Sequence, residues 1–478
     1  QGFLSGDAPR KDKDAREKTS GLVEIGLITE DRRLTEAGRE LLAITVEANF
    51  DDENVFHIGR DSFVYFKQLL KTTIDVGGAS VRPFLVLLQC LTELGELSYE
   101  EFTYLVPLIK DEESRQNILS RIRDYREQKV RLEDIIYERL MEMANYQVAF
   151  EELLHHTADE ALICLVGLNR KSRAYDRSYY ALYENLRRVF LQQGTNCEDL
   201  WQAAKNIRHK PGALWRNLLF RTAKVSVIRQ RGRQALSPDC PFQNCMTEEA
   251  FKAVFFKYLH VFKAMATLAD YFDLNRRYFN LTDMILFVDR RITLDVLPKY
   301  YFREIGSRLF QDTFAPCSYL AQTVSLTTIS HAFQMDMARV YHALSRDLHV
   351  SIKTREQAVA YVQDERYRRF NKLIDQRFGD AVLLELLDCF ERRDDKRIEE
   401  LVTDEATIPT IFEYILGIIW YKVSERRGNI LAFMKLSLEA NLLPKTHAAG
   451  GYADIIYEYE VSQHYPQHDL LLEATLTD

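Results

Sequence analysis

The chain is poor in glycine and proline and contains few cysteines. Its 478 residues include 19 Gly, 11 Pro and 7 Cys. Few chain-breaking residues, together with abundant Leu, Glu, Arg and Ala, disfavour β-sandwiches and propellers and favour a mainly helical protein. The cysteines are odd in number and scattered, which disfavours a disulfide framework and fits a reducing, cytoplasmic compartment.

Membrane-spanning and secretory segments are also missing. The longest apolar stretch, Ile408 to Val423, carries Glu413 and Lys422 and is shorter than the ~20 residues that a spanning helix needs. The run from Lys11 to Lys18 is charged, unlike a signal peptide, so we expect no membrane partner. Because the chain lacks an initial Met and ends abruptly at Asp478, we expect both ends to be incomplete.

Charge is distributed unevenly along the chain. The formal net charge is −8, which alone does not suggest a nucleic-acid binder. Residues 169–233, however, contain 15 Lys+Arg against 4 Asp+Glu, whereas residues 378–478 contain 9 against 19. This asymmetry indicates a basic part that holds DNA and an acidic part that binds cations, with solvated helix faces as the alternative for either half.

The length predicts two to four domains. We place four, at residues 1–155, 156–300, 301–400 and 401–478. The third is expected to be a helical linker in which residues 300–400 are helical throughout.

Two segments resemble the wing of a winged-helix domain. In the first, the apolar segment Leu22–Ile28 precedes a polar turn and the helical segment Leu34–Leu42. In the second, Met284–Val288 and Ile292–Val296 form a hairpin with a charged tip.

A helix-turn-helix pattern lies between these two segments. It consists of an apolar helix over Pro83–Glu93, a break at Gly95 and a capping box at Ser98–Glu101. An ordinary helical bundle shows the same pattern and remains the alternative.

Cations interleaved with aromatic residues predict a DNA-facing surface. Guanidinium groups suit phosphate oxygens and guanine edges. The predicted DNA-binding residues are Arg170, Lys171, Arg173, Arg177, Asn275, Arg276 and Arg277.

Three carboxylates near the C-terminus predict a metal-dependent active site. Glu413 lies in an apolar helix opened by Pro409, Asp454 begins the strand Ile455–Tyr459, and Glu473 lies within the strand Leu470–Leu476. Mg²⁺ takes oxygen ligands, usually one or two carboxylates with water and substrate phosphate. The arrangement matches a PD-(D/E)xK nuclease core, with Thr475 at the usual lysine position.

Several longer motifs resemble the AlwI family of type IIS restriction endonucleases and their strand-nicking relatives. The C-terminal motifs are PTIFEYILGI, KTHAAGGYAD and LLLEATLTD, and upstream ones include LTEAGRELL, GLNRKSRAYDRSYYALY and DYFDLNRRYFNLTDMILF. The resemblance covers most of residues 16–310 and 405–478. It implies a mainly α fold with small β units, N-terminal winged-helix-like DNA-recognition domains, a helical linker and a C-terminal α/β PD-(D/E)xK nuclease domain.

The resemblance also implies an activity. Glu413, Asp454 and Glu473 would be catalytic, Asp454 and Glu473 would bind Mg²⁺, and double-stranded DNA would be cut outside an asymmetric site. Family members continue past the second strand with a further glutamate on a helix, whereas this chain stops at Asp478. Since one active site hydrolyses one strand, double-strand cutting would need a second nuclease domain, supplied by transient dimerisation or a separate subunit.

Three further residues are auxiliary candidates: Lys445, His447 and Thr475. Lys445 and His447 precede the Asp454 strand and could reach the scissile phosphate; a solvated loop lysine and a turn-capping histidine are the alternatives. For the whole chain, the alternatives are a DNA-binding protein or subunit with an inactive nuclease-like domain, and a helical scaffold. Salt-sensitive binding without cleavage would identify the first.

Overall fold

Helices dominate the fold and the strands form small antiparallel sheets, as predicted. The computed structural model describes residues 11–47, 50, 54–446, 453–461 and 466–474, with residues 11–15, 17, 18, 209 and 446 described by their backbone alone. The chain divides into two units, residues 1–99 with 276–478 (unit 1) and residues 100–275 (unit 2). The four predicted domains are not tested by this division, because one unit can hold several domains. All seven cysteines are free thiols.

The first part of unit 1 precedes residue 100. Its elements are α1 (Lys11–Glu24), α2 (Glu36–Glu47), α3 (Arg60–Lys71), β1 (Ile74–Val76), β2 (Ala79–Val81), α4 (Pro83–Leu94) and β3 (Glu96–Ser98). As predicted, α4 begins at Pro83 and stops at Gly95, whose φ of 81° favours glycine. The first wing-like segment is smaller than expected, because α1 extends to Glu24 and only Ile28 pairs with Leu34.

Unit 2 is helical. Its helices are α5 (Tyr99–Tyr104), α6 (Glu112–Arg126), α7 (Leu132–Met141), α8 (Ala144–His155), α9 (Glu160–Val166), α10 (Arg177–Phe190), α11 (Cys197–Asn206), α12 (His209–Leu219), α13 (Val225–Arg231) and α14 (Glu248–Asn280), the first and last of which extend into unit 1. Aromatic residues build its core. Trp215 is fully buried and its ring lies 6.0 Å from that of Phe255 and 5.3 Å from that of Phe262, both on α14.

The remainder of unit 1 follows α14. Its elements are β4 (Ile285–Val288), β5 (Arg291–Leu294), α15 (Val296–Leu309), α16 (Leu326–Ile329), α17 (Met337–Leu348), α18 (Arg355–Arg377), α19 (Asp380–Arg392), α20 (Asp395–Leu401), α21 (Ile408–Val423), α22 (Ile430–Phe433), β6 (Ser437–Leu438), β7 (Pro444–Thr446), β8 (Ile455–Tyr459) and β9 (His468–Leu472).

The predicted hairpin at the start of this part is confirmed. Strands β4 and β5 are joined by Asp289 and Arg290, which both have positive φ, as a tight two-residue turn requires. Strand β3 adds a third strand by pairing Leu97 with Ile292. The pairing was not predicted because β3 has only three residues and lies far away in sequence.

The prediction that residues 300–400 are helical throughout is wrong over residues 313–325, which form no helix. Pro316 cannot continue a helical hydrogen-bond ladder. Arg82 fixes the segment instead, donating to the carbonyls of Ala315 (2.9 Å) and Pro316 (3.0 Å).

Helix α21 is held in a buried cluster formed with α18 to α20. Its Tyr414 and Ile418 are fully buried there, beside Phe370 and Leu386. The strand pair β8–β9 packs on the same helix through Leu416 and Trp420. The helix that carries Glu413 is therefore fixed between a helical core and a hairpin.

Candidate functional site

The β8–β9 hairpin brings two of the three predicted carboxylates together. Its register pairs Ile455 with Leu472. Asp454, just before β8, and Glu473, just after β9, are therefore the next residues beyond this pair. The backbone N–H of Ala474 donates to Oδ2 of Asp454 at 2.7 Å. Asp454 and Glu473 thus lie side by side at one end of the hairpin.

The second strand is shorter than predicted. It ends at Leu472, so Glu473 follows the strand and is exposed rather than lying within it. The reason is local: the N–H of Ala474 bonds to a side chain instead of a backbone carbonyl, which ends the ladder. Thr475 lies outside the described residues, as does His447.

The backbone of Asp454 is held on its other side as well. The N–H of Lys435 donates to the Asp454 carbonyl at 3.0 Å, and Met434 pairs with Ile455 as an antiparallel bridge. The segment leading into β6 therefore lies along β8. Asp454 is fixed both by this segment and by Ala474.

Glu413 lies on the face of α21 that contacts the hairpin. It is 6% exposed, and Leu416, Gly417 and Trp420 follow it at helical spacing on the same face. A Cβ at Gly417 would lie 3.7 Å from Cδ1 of Ile455, the residue after Asp454. Nevertheless, no three His, Cys, Asp or Glu side chains of the described residues are grouped so that they could hold one metal ion.

Lys445 does not lie in solvent, so that alternative is wrong. Its side chain is 15% exposed, and Nζ lies 3.2 Å from Oδ2 of Asp283 and 3.7 Å from Oδ2 of Asp61, with the Ser62 hydroxyl at 3.2 Å. Burial lowers the pKa of Lys445, but Asp283 and Asp61 outweigh it and hold the pKa above its ordinary value. Lys445 is a buried cation between carboxylates, and a contact with the scissile phosphate stays a prediction.

In unit 2, the predicted DNA-binding cations before α10 lie on an anchored loop. Arg170, Lys171 and Arg173 are exposed, and no ion pair joins them to any described residue. Beneath them, buried Asp176 pairs with Lys263 at 2.7 Å, and Lys263 also donates to the carbonyl of Gly167 at 2.6 Å. Burial raises the pKa of Asp176 and lowers that of Lys263, while each partner opposes the shift.

The other predicted DNA-binding residues differ from these. Arg177 is exposed and pairs with Glu160 at 2.8 Å, and Asn275 is half-buried. Both lie in unit 2, as do the three cations of the loop.

Arg276 and Arg277 belong to unit 1. Arg276 pairs with Glu405 at 2.8 Å, and Arg277 pairs with Asp404 at 3.1 Å. A single DNA-facing surface of all seven residues therefore stays a prediction.

A comparison with protein families decides the broad identity. The family described as AlwI restriction endonuclease matches residues 23–478. The chain belongs to the AlwI restriction endonuclease family. This confirms the resemblance found in the motifs, and it makes the chain a nuclease of a restriction-modification system, a hydrolase with DNA as its partner.

Two negative findings accompany the family match. No curated protein matches the chain. Within the part of the chain that the structure describes, no helix is long and apolar enough to cross a membrane.

Sequence reasoning missed a buried polar group near the hairpins. Glu439 follows β6, is 8% exposed, and accepts a 2.7 Å hydrogen bond from Nδ2 of Asn280. Burial, with the nearby Asp283, raises the pKa of Glu439 to about 8. The available signal was a lone carboxylate in the mainly apolar segment Leu438–Leu443, where an ionised group is costly to bury.

The donor set at the hairpin end suits a hard divalent cation. Carboxylate oxygens are the ligands that Mg²⁺ prefers, with water and phosphate oxygens completing its octahedron. One oxygen of Asp454 is already bonded to Ala474, which leaves Oδ1 and the exposed carboxylate of Glu473. Two oxygen donors at an accessible edge fit a cation that also has to reach a phosphodiester.

Proposed function

We propose that the chain is a Mg²⁺-dependent, site-specific endonuclease of type IIS that binds an asymmetric DNA site and hydrolyses a phosphodiester bond outside it. The observation that carries the proposal is the placement of Asp454 and Glu473 side by side at the end of β8–β9, in a member of a restriction endonuclease family. A bound Mg²⁺ would polarise the phosphate and lower the pKa of its bound water.

Each residue has a proposed role. Asp454 and Glu473 would hold the cation, and the hydrogen bond from the Ala474 N–H fixes Oδ2 of Asp454 against the end of β9. Glu413 is the third carboxylate of the catalytic set, on the helix face that packs against β8. The strand–strand–helix arrangement supports a PD-(D/E)xK core.

DNA recognition belongs to the remaining parts of the chain. The Ile28–Leu34 bridge followed by α2, and the β4–β5 hairpin, support winged-helix-like recognition elements. The exposed cations Arg170, Lys171 and Arg173 contact phosphates, because adjacent cations suit a backbone better than a base edge. One such active site cuts one strand, so the chain acts as a nicking enzyme unless a second nuclease domain joins it.

The test is cleavage of plasmid DNA by wild-type protein, Asp454→Ala and a matched control, Asp469→Asn. Asp469 is an exposed carboxylate of the same hairpin. It lies opposite Glu458 in the strand register, away from the end that carries the proposed metal ligands. We expect Asp454→Ala to lose on the order of 10³-fold in rate, since a metal ion contributes several kcal/mol at the transition state. Asp469→Asn should cut normally.

DNA binding by Asp454→Ala should be unchanged, measured without a divalent cation so that loss of a cation ligand does not itself affect the Kd. The nicked and linear products separate one-strand from two-strand cutting, and run-off sequencing gives the cut position. Wild-type rates in Asp454→Ala would contradict the assignment. Binding without cleavage by the wild-type chain would favour a recognition subunit with an inactive nuclease-like domain.

A further inference from the structure

We infer that the end of α14 and the loop after it, residues 276–283, are positioning residues that set the geometry of the proposed Asp454–Glu473 site. This inference rests on the proposed function. Four polar side chains of this segment each contact a different residue of the C-terminal part of unit 1. Two contacts reach the residues just before the helix that carries Glu413, and two reach the β6–β7 hairpin.

The first pair of contacts fixes the entry to α21. Arg276 bonds Glu405 at 2.8 Å, with the two side chains only 19% and 11% exposed, and Arg277 bonds Asp404 at 3.1 Å. Helix α21 begins three residues after Glu405 and carries Glu413 in its second turn. Since the Arg276–Glu405 pair is largely shielded from water, its two charges attract each other more strongly than those of a surface pair.

The second pair of contacts fixes the β6–β7 hairpin. Asn280 donates to Glu439 at 2.7 Å, and Asp283 bonds Lys445 at 3.2 Å. Glu439 and Lys445 flank the turn that joins the two strands, and the N–H of Glu439 closes it on the carbonyl of Leu443 at 2.8 Å. Both sides of the hairpin turn are therefore tied to residues 280–283.

A third link reaches the proposed active site. The chain entering β6 pairs with β8, where the N–H of Lys435 donates to the Asp454 carbonyl at 3.0 Å. A shift of the β6–β7 hairpin therefore moves the backbone on which Asp454 sits. Misplacement of a reacting group by about 1 Å costs on the order of 10²-fold in rate, so the contacts of residues 276–283 matter for cleavage without touching DNA or metal.

The decisive variant is Asp283→Asn, which keeps the side chain's shape and removes the carboxylate nearest to Lys445. Its matched control is Arg369→Gln on α18, which breaks another largely buried ion pair of unit 1, Arg369–Asp295 at 3.0 Å. For each protein, single-turnover cleavage at saturating DNA, the Kd for DNA, the Mg²⁺ concentration for half-maximal rate and the Tm are measured.

We expect Asp283→Asn to cut about 10-fold more slowly and to need more Mg²⁺, with its Kd for DNA within about twofold of wild type. Arg369→Gln should lose a similar amount of Tm and keep its rate and its Mg²⁺ requirement. If Asp283 only stabilised the fold, Asp283→Asn would have a lower Tm but an unchanged cleavage rate and Mg²⁺ requirement, provided that cleavage is assayed well below the Tm.

Asn280→Ala, which removes only the donor to Glu439, is judged by the same criteria and decides the question if Asp283→Asn fails to fold. A loss of less than about fivefold in the deciding variant, or a parallel loss in Kd, would overturn the inference. Wild-type cleavage by Asp454→Ala would refute the proposed function and this inference with it. Loss of cleavage in Asp454→Ala with wild-type rates in both Asp283→Asn and Asn280→Ala would refute the inference alone.

Discussion

The buried carboxylate of Glu439 makes the stability of unit 1 depend on pH. Burial and Asp283 raise its pKa from an ordinary value of 4.5 to about 8, opposed by Lys445 and Arg276. The substitution that isolates this effect is Glu439→Gln. A glutamine keeps the acceptor for the Asn280 amide and cannot ionise.

The sign and size follow from proton linkage. Between pH 4.5 and about 8, the unfolded chain has released the Glu439 proton and the folded chain still holds it. The folded state binds more protons in this window, so its stability falls as the pH rises and levels off above about pH 8. A span of about 3.5 pH units at about 1.4 kcal/mol per unit gives an upper limit of roughly 5 kcal/mol.

Urea unfolding measures this dependence. Trp420 is the tryptophan of unit 1, and replacing Trp201 and Trp215 of unit 2 by Phe makes the fluorescence specific for unit 1. We expect Glu439→Gln and its parent to be nearly equal at about pH 5, with the variant gaining stability as the pH approaches about 9. Glu391→Gln, at an exposed site of α19, is the control. Parallel pH profiles for Glu439→Gln and its parent would refute the reasoning.

Two further predictions concern the DNA-facing loop and the packing of α21. Replacing Arg170 and Arg173 together by Gln should lower the slope of log Kd against log salt by about two, one per lost phosphate contact. The control is Arg229→Gln, whose guanidinium is bound by Glu198 at 2.7 Å and which should leave the slope unchanged. Equal slopes in the wild-type protein and both variants would show that the loop does not contact DNA. Gly417→Val should destabilise unit 1 by about 1–3 kcal/mol in urea unfolding, because even a Cβ would lie 2.7 Å from Sδ of the buried Met434. Gly379→Ala, where a Cβ meets nothing within 4 Å, is its control; equal losses would show that the approach to Met434 is not the cause.

Local signals in the sequence predicted local structure well. Pro83 and Gly95 bound a helix because proline suits its first turn and glycine its left-handed end. The β4–β5 hairpin followed from two apolar runs around a charged tip. Strand β8 was predicted with its observed bounds, and the register of its hairpin then placed Asp454 beside Glu473.

Long-range electrostatics could not be predicted in the same way. Lys445 is separated from Asp283 by 162 residues, and no periodicity in the sequence reports which carboxylate a buried lysine meets. The end of β9 depended on one hydrogen bond between Ala474 and Asp454, 20 residues apart. Such contacts are set by tertiary packing, which hydrophobic patterns specify only coarsely.

Long-range ion pairs also change what the charge count in residues 169–233 means. That count treats all 15 cations alike, although the structure shows several to be neutralised within unit 2. Arg177 pairs with Glu160, Arg229 with Glu198, and Lys210 with Asp270. Charges that are already paired gain little from a phosphate, because the existing partner has to be given up.

Exposed cations without an ion pair among the described residues are therefore the stronger candidates for DNA contact. Arg170, Lys171 and Arg173 meet this condition on the loop that Asp176 and Lys263 anchor. Arg221, Lys224 and Arg231, around α13, meet it as well, although no motif distinguishes them from the other cations of this segment. The exposure of a cation and the lack of an ion-pair partner among the described residues, rather than the net charge, thus identify the part of unit 2 on which DNA binding should depend.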